Sequence, residues 1–357
     1  MTKSLLIALL VFVIPHFIQG QSIAAFADSV REIYNIPELG YAVVSSTRIH
    51  ELQAIGVKKA NTDIKAEPND KFRIGSNTKA ITGFIAAQLV KQRKIYWNTR
   101  FFDVFPELKA RSNPAYFGMT LLNLLTFRTP LIPYTYTNPA PTRDQFTGDE
   151  AAQRFQFTAW FLQQEPAKTK DSISFSNLGY IAAAQMLEKV SGKPYKELVA
   201  DLGRQLEIRF GFGTPNATDA SQPWGHGEGL IPEEPTDDYK LNWLLPAGNI
   251  HVSLPDYAQF IQLQLNGLRG QSEVLTETEF QFLHFGLPTF SVGWFRQVDD
   301  DNRTYSYNKG NPGTFLTEAY VYKDIDVAFI LFANAQTADA EKGFRVLYEE
   351  LKKRYAR

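Results

Sequence analysis

The 357-residue chain is 44% hydrophobic and 21% charged, and its 27 Phe, 16 Tyr and 5 Trp supply a large core, which excludes a disordered polyelectrolyte. With 37 Lys and Arg against 38 Asp and Glu, the formal charge of −1 provides no global field to hold nucleic acid. The chain has no cysteine, so disulfides, zinc–thiolate sites, iron–sulfur clusters and thiol nucleophiles are excluded, and any nucleophile is an oxygen or a lysine.

At the N-terminus, Lys3 precedes the unbroken apolar run Leu5 to Ile14, which ends in Pro15 and His16 and is followed by the small residue Gly20. The run falls short of the roughly 20 residues that span a bilayer, so residues 1–20 read as a secretory signal peptide cleaved near Gly20 rather than a membrane anchor. The expected location is periplasmic or secreted. Removal of Lys3 would leave 36 basic against 38 acidic residues, a formal charge of −2.

From Ser22 to Asn35, Ile23, Phe26, Val30 and Ile33 recur at helical spacing. Two apolar-rich runs, Gly40 to Ser46 and Arg48 to Lys58, read as a hairpin. A helical pattern then runs from Ser76 to about Arg93. The middle third, Phe101 to Asp238, mixes short helices with loops at Thr129–Asp149 and Gly211–Asp238, and Asn177–Ser191 and Tyr195–Leu206 are helical in pattern. Strand character returns in Ser291–Gln297, Thr304–Tyr307, Phe315–Tyr322 and Val327–Asn334. A basic amphipathic helix, Ala338–Tyr355, follows, with Lys352, Lys353 and Arg354 as its solvated last turn. Strands and helices from both ends predict one α/β sheet built by the two termini around a helical insert.

The first chemical candidate is Ser76-Asn77-Thr78-Lys79. On a helix starting at Ser76, residues 76 and 79 share a face, so the Lys79 amine can take the serine proton, and the helix N-terminus offers N–H groups to an oxyanion. The same spacing also suits an N-cap serine beside a solvated lysine. Gly75 supplies the close approach that a strand-to-helix turn needs.

The segment Phe72-Arg73-Ile74-Gly75-Ser76-Asn77-Thr78-Lys79 resembles the Ser-x-x-Lys site of the serine β-lactamase and D-alanyl-D-alanine peptidase superfamily, closest to its class C-like members. Further landmarks follow in that family's order. These are Ser174-Phe175-Ser176-Asn177-Leu178-Gly179-Tyr180, Glu188 to Tyr195, Pro246-Ala247-Gly248 with Asp256, and Asn308-Lys309-Gly310-Asn311-Pro312-Gly313-Thr314-Phe315. The resemblance implies an α/β (α+β) fold of the β-lactamase/transpeptidase type, an antiparallel sheet flanked by helices plus a mostly helical lobe. One domain would span 21–357, with an α/β lobe from about 22–75 and 255–357 and a helical lobe of about 76–254. It further implies Ser76 as the acylated nucleophile, Lys79 as its activating amine, and Asn177 as the amide orienting Lys79 and a substrate carbonyl. The backbone N–H groups of Ser76 and Asn311 would form the oxyanion hole, with Asn308, Lys309 and Gly310 beside the substrate. Such chemistry needs neither metal nor cofactor, and the expected partner is a small-molecule or peptide acyl substrate, with no nucleic acid and no stable membrane anchor.

Two positions depart from the family pattern. Phe175 stands where a tyrosine relays protons, and a phenyl ring does neither half of that task. Asn308-Lys309-Gly310 replaces Lys-Thr-Gly or His-x-Gly, so the cation is displaced by one residue and faces away unless the strand is bulged. Tyr180 and Tyr307 are candidate substitute hydroxyls, and a cation such as Lys309 could depress the Lys79 pKa. His226, in the loop Gln222 to Gly227, is a candidate rim contact. The histidines have no metal-ligand spacing, and there is no Gly-x-Ser-x-Gly elbow. Ser76, Lys79 and Asn177 favour a serine hydrolase, whereas Phe175 and Asn308 favour a protein that binds peptidoglycan or another acyl ligand without turnover.

Overall fold

Ser22 accepts a hydrogen bond from the Ala25 amide at 3.2 Å and caps helix α1 (Ile23–Ile33), whose Ile23, Phe26, Ala27 and Val30 form one buried stripe. The computed structural model describes residues 21–168, 173–235 and 239–356, so the expected signal peptide lies outside the described residues. The hairpin follows as β1 (Glu38–Val44) and β2 (Ile49–Gly56). Strand β3 (Lys71–Arg73) leads through a 3₁₀ turn, Gly75–Asn77, into helix α2 (Thr78–Lys91). Helix α2 is buried nearly all round, as its mixture of Ala, Ile, Phe and Leu requires of a helix packed on several sides.

The insert contributes α3 (Glu150–Phe161), α4 (Leu178–Ser191), α5 (Tyr195–Leu206) and the short strand β4 (Gly211–Phe212). Strand β5 (Ile250–Ser253) then pairs with both β3 and β4 in a small second sheet, so Gly211–Phe212, expected as loop, is a short strand. Helices α6 (Leu254–Leu268) and α7 (Glu277–Phe285) return the chain to the main sheet, which is completed by β6 (Phe295–Val298), β7 (Thr304–Gly310), β8 (Leu316–Tyr322) and β9 (Val327–Ala333). Helix α8 (Ala338–Tyr355) carries Asp339 and Glu341 in its first turn and Lys352, Lys353 and Arg354 in its last, each matched to the helix dipole.

The main sheet is antiparallel with strand order β2-β1-β9-β8-β7-β6, so the two termini meet where β1 pairs with β9. Strands β8 and β9 are buried along their whole length, which fits their apolar sequences to central positions covered on both faces. On one face, Val43, Phe329 and Leu331 pack with Val30 of α1 and Phe344 and Leu347 of α8. On the other, a single apolar core runs from Ala42, Ile330 and Phe332 through α6 and α2 into α4. This continuous core fixes α2, which follows the serine turn, against both the sheet and the helical insert.

One expected strand is shorter than its sequence suggests. Ser291 to Trp294 form a turn, closed by a hydrogen bond from the Ser291 amide to the Trp294 carbonyl, and pairing begins only at Phe295. Gly293, at φ +88, lets this turn approach α2 so closely that a Cβ there would lie 2.6 Å from the Ala80 Cα.

Candidate active site

The serine turn is built by close backbone approach. Gly75 has φ +49, and a Cβ on it would lie 2.6 Å from the amide nitrogen of Asn311. A Cβ on Gly310 would lie 1.9 Å from the Ile74 carbonyl oxygen. Two glycines thus bring the start of the serine turn against the end of β7, a contact that any side chain would push apart. Beneath it, the Thr317 hydroxyl donates to the Ile74 carbonyl at 2.9 Å and accepts from the Asn77 side-chain amide at 2.7 Å. Thr317 is a positioning residue that the sequence reading missed, because one threonine in a strand carries no signal of its own.

Ser76 sits in a 3₁₀ turn that runs directly into α2, and Lys79, in the first turn of α2, lies three residues on and on the same side. The Lys79 amine donates to the Ser76 Oγ at 2.9 Å and to the Ala247 carbonyl at 2.8 Å. Lys79 is buried, and burial alone pulls its amine from the usual lysine range down to about 7. The expected cause, a neighbouring cation, is therefore replaced by desolvation. The Tyr180 ring, 5.4 Å from the amine, is part of that enclosure. Ala247, within the Pro246-Ala247-Gly248 stretch, holds the lysine through a backbone group, to which residue type gives no clue.

Asn177 stands at the N-cap position of α4 without a side-chain capping bond and lines the same cavity as Ser76, yet Lys79 makes its hydrogen bonds to Ser76 and Ala247 and not to Asn177. Strand β7 pairs with β8 without a register break, so Asn308 and Lys309 lie on opposite faces as the period of two demands. Asn308 is buried, and its side-chain amide donates to the Gly293 carbonyl at 2.6 Å. Lys309 is half exposed and pairs with Glu318 at 2.8 Å. Asn308 and Lys309 both border the cavity.

The two candidate substitute hydroxyls separate. Tyr180 is fully buried and donates its hydroxyl to the Leu125 carbonyl at 2.8 Å, so it is committed to packing and is no relay. Tyr307 borders the cavity half-buried, with its ring stacked on Phe295 at 5.1 Å and its phenol raised by burial. His226 is not a rim contact. It is fully buried, with Nδ1 bonded to the Asn334 carbonyl at 2.7 Å and Nε2 accepting from the Ala60 amide at 3.0 Å, which together fix the neutral ring as a structural pin. His251 and His284 are likewise buried and held neutral, their pKa values lowered by desolvation to about 4 and about 3. Among the described residues no group of three His, Cys, Asp or Glu side chains is arranged to hold a metal ion.

Above the serine lies a cavity of about 410 Å³, within the range of small-molecule sites. Its walls are aromatic. Phe127 lies 4.5 Å from Phe290 and 4.9 Å from Phe175, while Phe175 stacks on Phe295 at 5.6 Å. Phe127 adopts φ +59, a conformation that costs an ordinary residue about 1–2 kcal/mol and is offset here by its neighbours. The loop carrying Phe290 is tied down by Arg128, which donates to the Phe290 carbonyl at 2.9 Å and the Pro288 carbonyl at 2.8 Å. Apart from Phe175 and Tyr307, these rings come from segments that carry no motif, and only their assembly in space makes a wall.

The family model described as Beta-lactamase matches residues 23–351. The curated relative Protein flp of Staphylococcus aureus (strain MW2) is 22% identical over 289 residues, which is 79% of this chain and 57% of that protein, so the chain spans little more than half of that relative's length. Among solved structures, the class C beta lactamase from Rhodobacter sphaeroides superposes with a TM-score of 0.72 at 17% identity, covering 92% of this chain and 99% of that one. The D-alanine carboxypeptidase AmpC from Burkholderia cenocepacia superposes with a TM-score of 0.70 at 16% identity, covering 92% and 98%.

Proposed function

The chain belongs to the beta-lactamase family, a family of serine hydrolases, and from that premise we propose that it is an exported serine hydrolase or acyltransferase acting on an ester or amide through an acyl-Ser76 intermediate. The observation that carries this reading is the 2.9 Å contact between Ser76 Oγ and a buried Lys79 whose pKa is lowered to about 7. An amine that is neutral for much of the time at neutral pH, within hydrogen-bond reach of the nucleophile, is a general base matched to its working pH.

In acylation, neutral Lys79 takes the Ser76 proton as Oγ bonds to the substrate carbonyl carbon. The backbone N–H groups of Ser76 and Asn311 meet the developing oxyanion. The carbon–leaving-group bond then breaks, and the proton held by Lys79 passes to the departing alkoxide or amine. Water reverses the sequence, adding to the acyl carbon, giving its proton to Lys79, and releasing the acid as Ser76 recovers a proton.

A second reading, a family member that binds an acyl ligand or peptidoglycan without turnover, draws on Phe175 in place of a proton-bearing tyrosine and on Asn308 in place of a cation. Exposure of the purified protein to a fluorescent penicillin and to a fluorophosphonate separates the two. The hydrolase reading expects a covalent adduct on Ser76 with at least one reagent, located by peptide mass spectrometry. A folded protein that reacts with neither is the result that favours the binder.

A further inference from the structure

We infer that the substrate's acyl part is uncharged, apolar and of aromatic size, and that a carboxylate on it is selected against. This rests on the hydrolase reading above and names the substrate class of the same site. The first ground is the shape of the wall. Phe127, Phe175, Phe290, Phe295 and Tyr307 form one contiguous surface, with Phe290 and Phe295 edge to face at 4.7 Å and Phe295 stacked on Tyr307 at 5.1 Å. Phe175 leaves 51% of its area exposed, an apolar surface at the cavity that an acyl group would cover.

The second ground is charge. Among the described residues bordering the cavity, the cationic side chains are Lys79 and Lys309. Lys79 is engaged by Ser76 and Ala247. Lys309 lies 2.8 Å from the carboxylate of the buried Glu318, so a second carboxylate arriving there would meet a cation already paired. The strand position that would direct a cation inward holds Asn308, whose side-chain amide is bound to the Gly293 carbonyl. The surface therefore offers contact to a neutral apolar group, and both bordering cations are already engaged when an anion arrives.

The third ground is the means by which the wall is held. Phe127 keeps its left-handed backbone while its carbonyl accepts from the Ser174 amide at 2.9 Å, next to Phe175 in the chain. Arg128 fixes the loop of Phe290 through two carbonyls. The aromatic surface is thus pre-formed, and an acyl group would not have to order it.

The test uses four p-nitrophenyl esters, the acetate, butyrate, phenylacetate and hemisuccinate, together with fluorophosphonate labelling of Ser76. One added methylene in an apolar pocket commonly changes kcat/KM by about 10-fold or more. The phenylacetate is expected to exceed the acetate by at least about 10-fold, and the butyrate to exceed the hemisuccinate by a similar factor. Phe175→Ala, at a half-exposed position, is expected to narrow the phenylacetate-to-acetate ratio by about 5-fold. An enzyme that labels at Ser76 but treats acetate and phenylacetate alike, or prefers the hemisuccinate, overturns the substrate class and leaves the hydrolase reading standing. A folded protein with neither label nor turnover overturns both.

Discussion

Lys309 faces Glu318 across the β7–β8 ladder, and its amine lies 2.8 Å from that carboxylate, which also accepts the Tyr320 hydroxyl at 2.5 Å. The lysine displaced by one residue from its family position is thereby held on the face of the strand opposite Asn308, at the border of the cavity. Glu318→Gln keeps the shape and removes the counter-charge. It is expected to raise kcat/KM for the p-nitrophenyl hemisuccinate by about 2- to 5-fold relative to the butyrate, a modest change because Lys309 is half exposed. An unchanged ratio would show that the pair does not govern anion discrimination.

The pH dependence follows from Lys79, whose amine is lowered to about 7 by burial. The base must be neutral, so kcat/KM should fall about tenfold per pH unit below 7 and level off above it. The same shift makes stability pH-dependent. Between about 7 and the ordinary lysine value of 10.5 the unfolded chain binds the extra proton, so stability rises with pH across that window. Lys79→Ala should lower labelling of Ser76 by about 10²-fold or more and abolish the midpoint near 7. Wild-type labelling by Lys79→Ala would remove the lysine from the mechanism.

Phe175→Tyr restores a hydroxyl beside the cavity. A p-nitrophenolate leaves without a proton, whereas an amide nitrogen does not, so the hydroxyl should matter in proportion to the basicity of the leaving group. An increase of about 10- to 100-fold is expected for a β-lactam or peptide amide, against less than about 3-fold for the p-nitrophenyl esters. Equal effects on both substrate classes would mean that the tyrosine acts through packing alone.

Gly75→Ala tests the close approach between the serine turn and β7. Its positive φ costs alanine about 1–2 kcal/mol before the contact with the Asn311 nitrogen is counted. A lower Tm and at least a 10²-fold slower labelling of Ser76 are expected, since a displacement of about 1 Å at reacting atoms has an effect of that size. Retention of both wild-type values would show that the turn tolerates separation from β7.

The parts of the fold with strong periodicity were legible in the sequence. The Ser22–Asn35 stripe, the hairpin and the apolar strands after Phe315 each declare which face they bury. The short pairing of β3, β4 and β5 was not, because strands of two to four residues leave no alternation to read. Strand β7 runs on through Asn308-Lys309-Gly310, residues with low strand preference, because pairing to Glu318 and Thr317 holds them extended. At the site, Ser76 and Lys79 could be found by spacing, but the depth of Lys79 could not, since lysines are seldom buried. His226 misled for the opposite reason, a loop residue by sequence that is drawn inside by the Asn334 carbonyl and the Ala60 amide.

Acylation of Ser76 is read from the mass of the Ser76-containing peptide after acid quench of a reaction with p-nitrophenyl phenylacetate, measured in parallel with Ser76→Ala. A phenylacetyl increment on Ser76 is expected during turnover, with neither increment nor turnover in Ser76→Ala. Undiminished turnover by Ser76→Ala, or a stable increment on another residue, would contradict it.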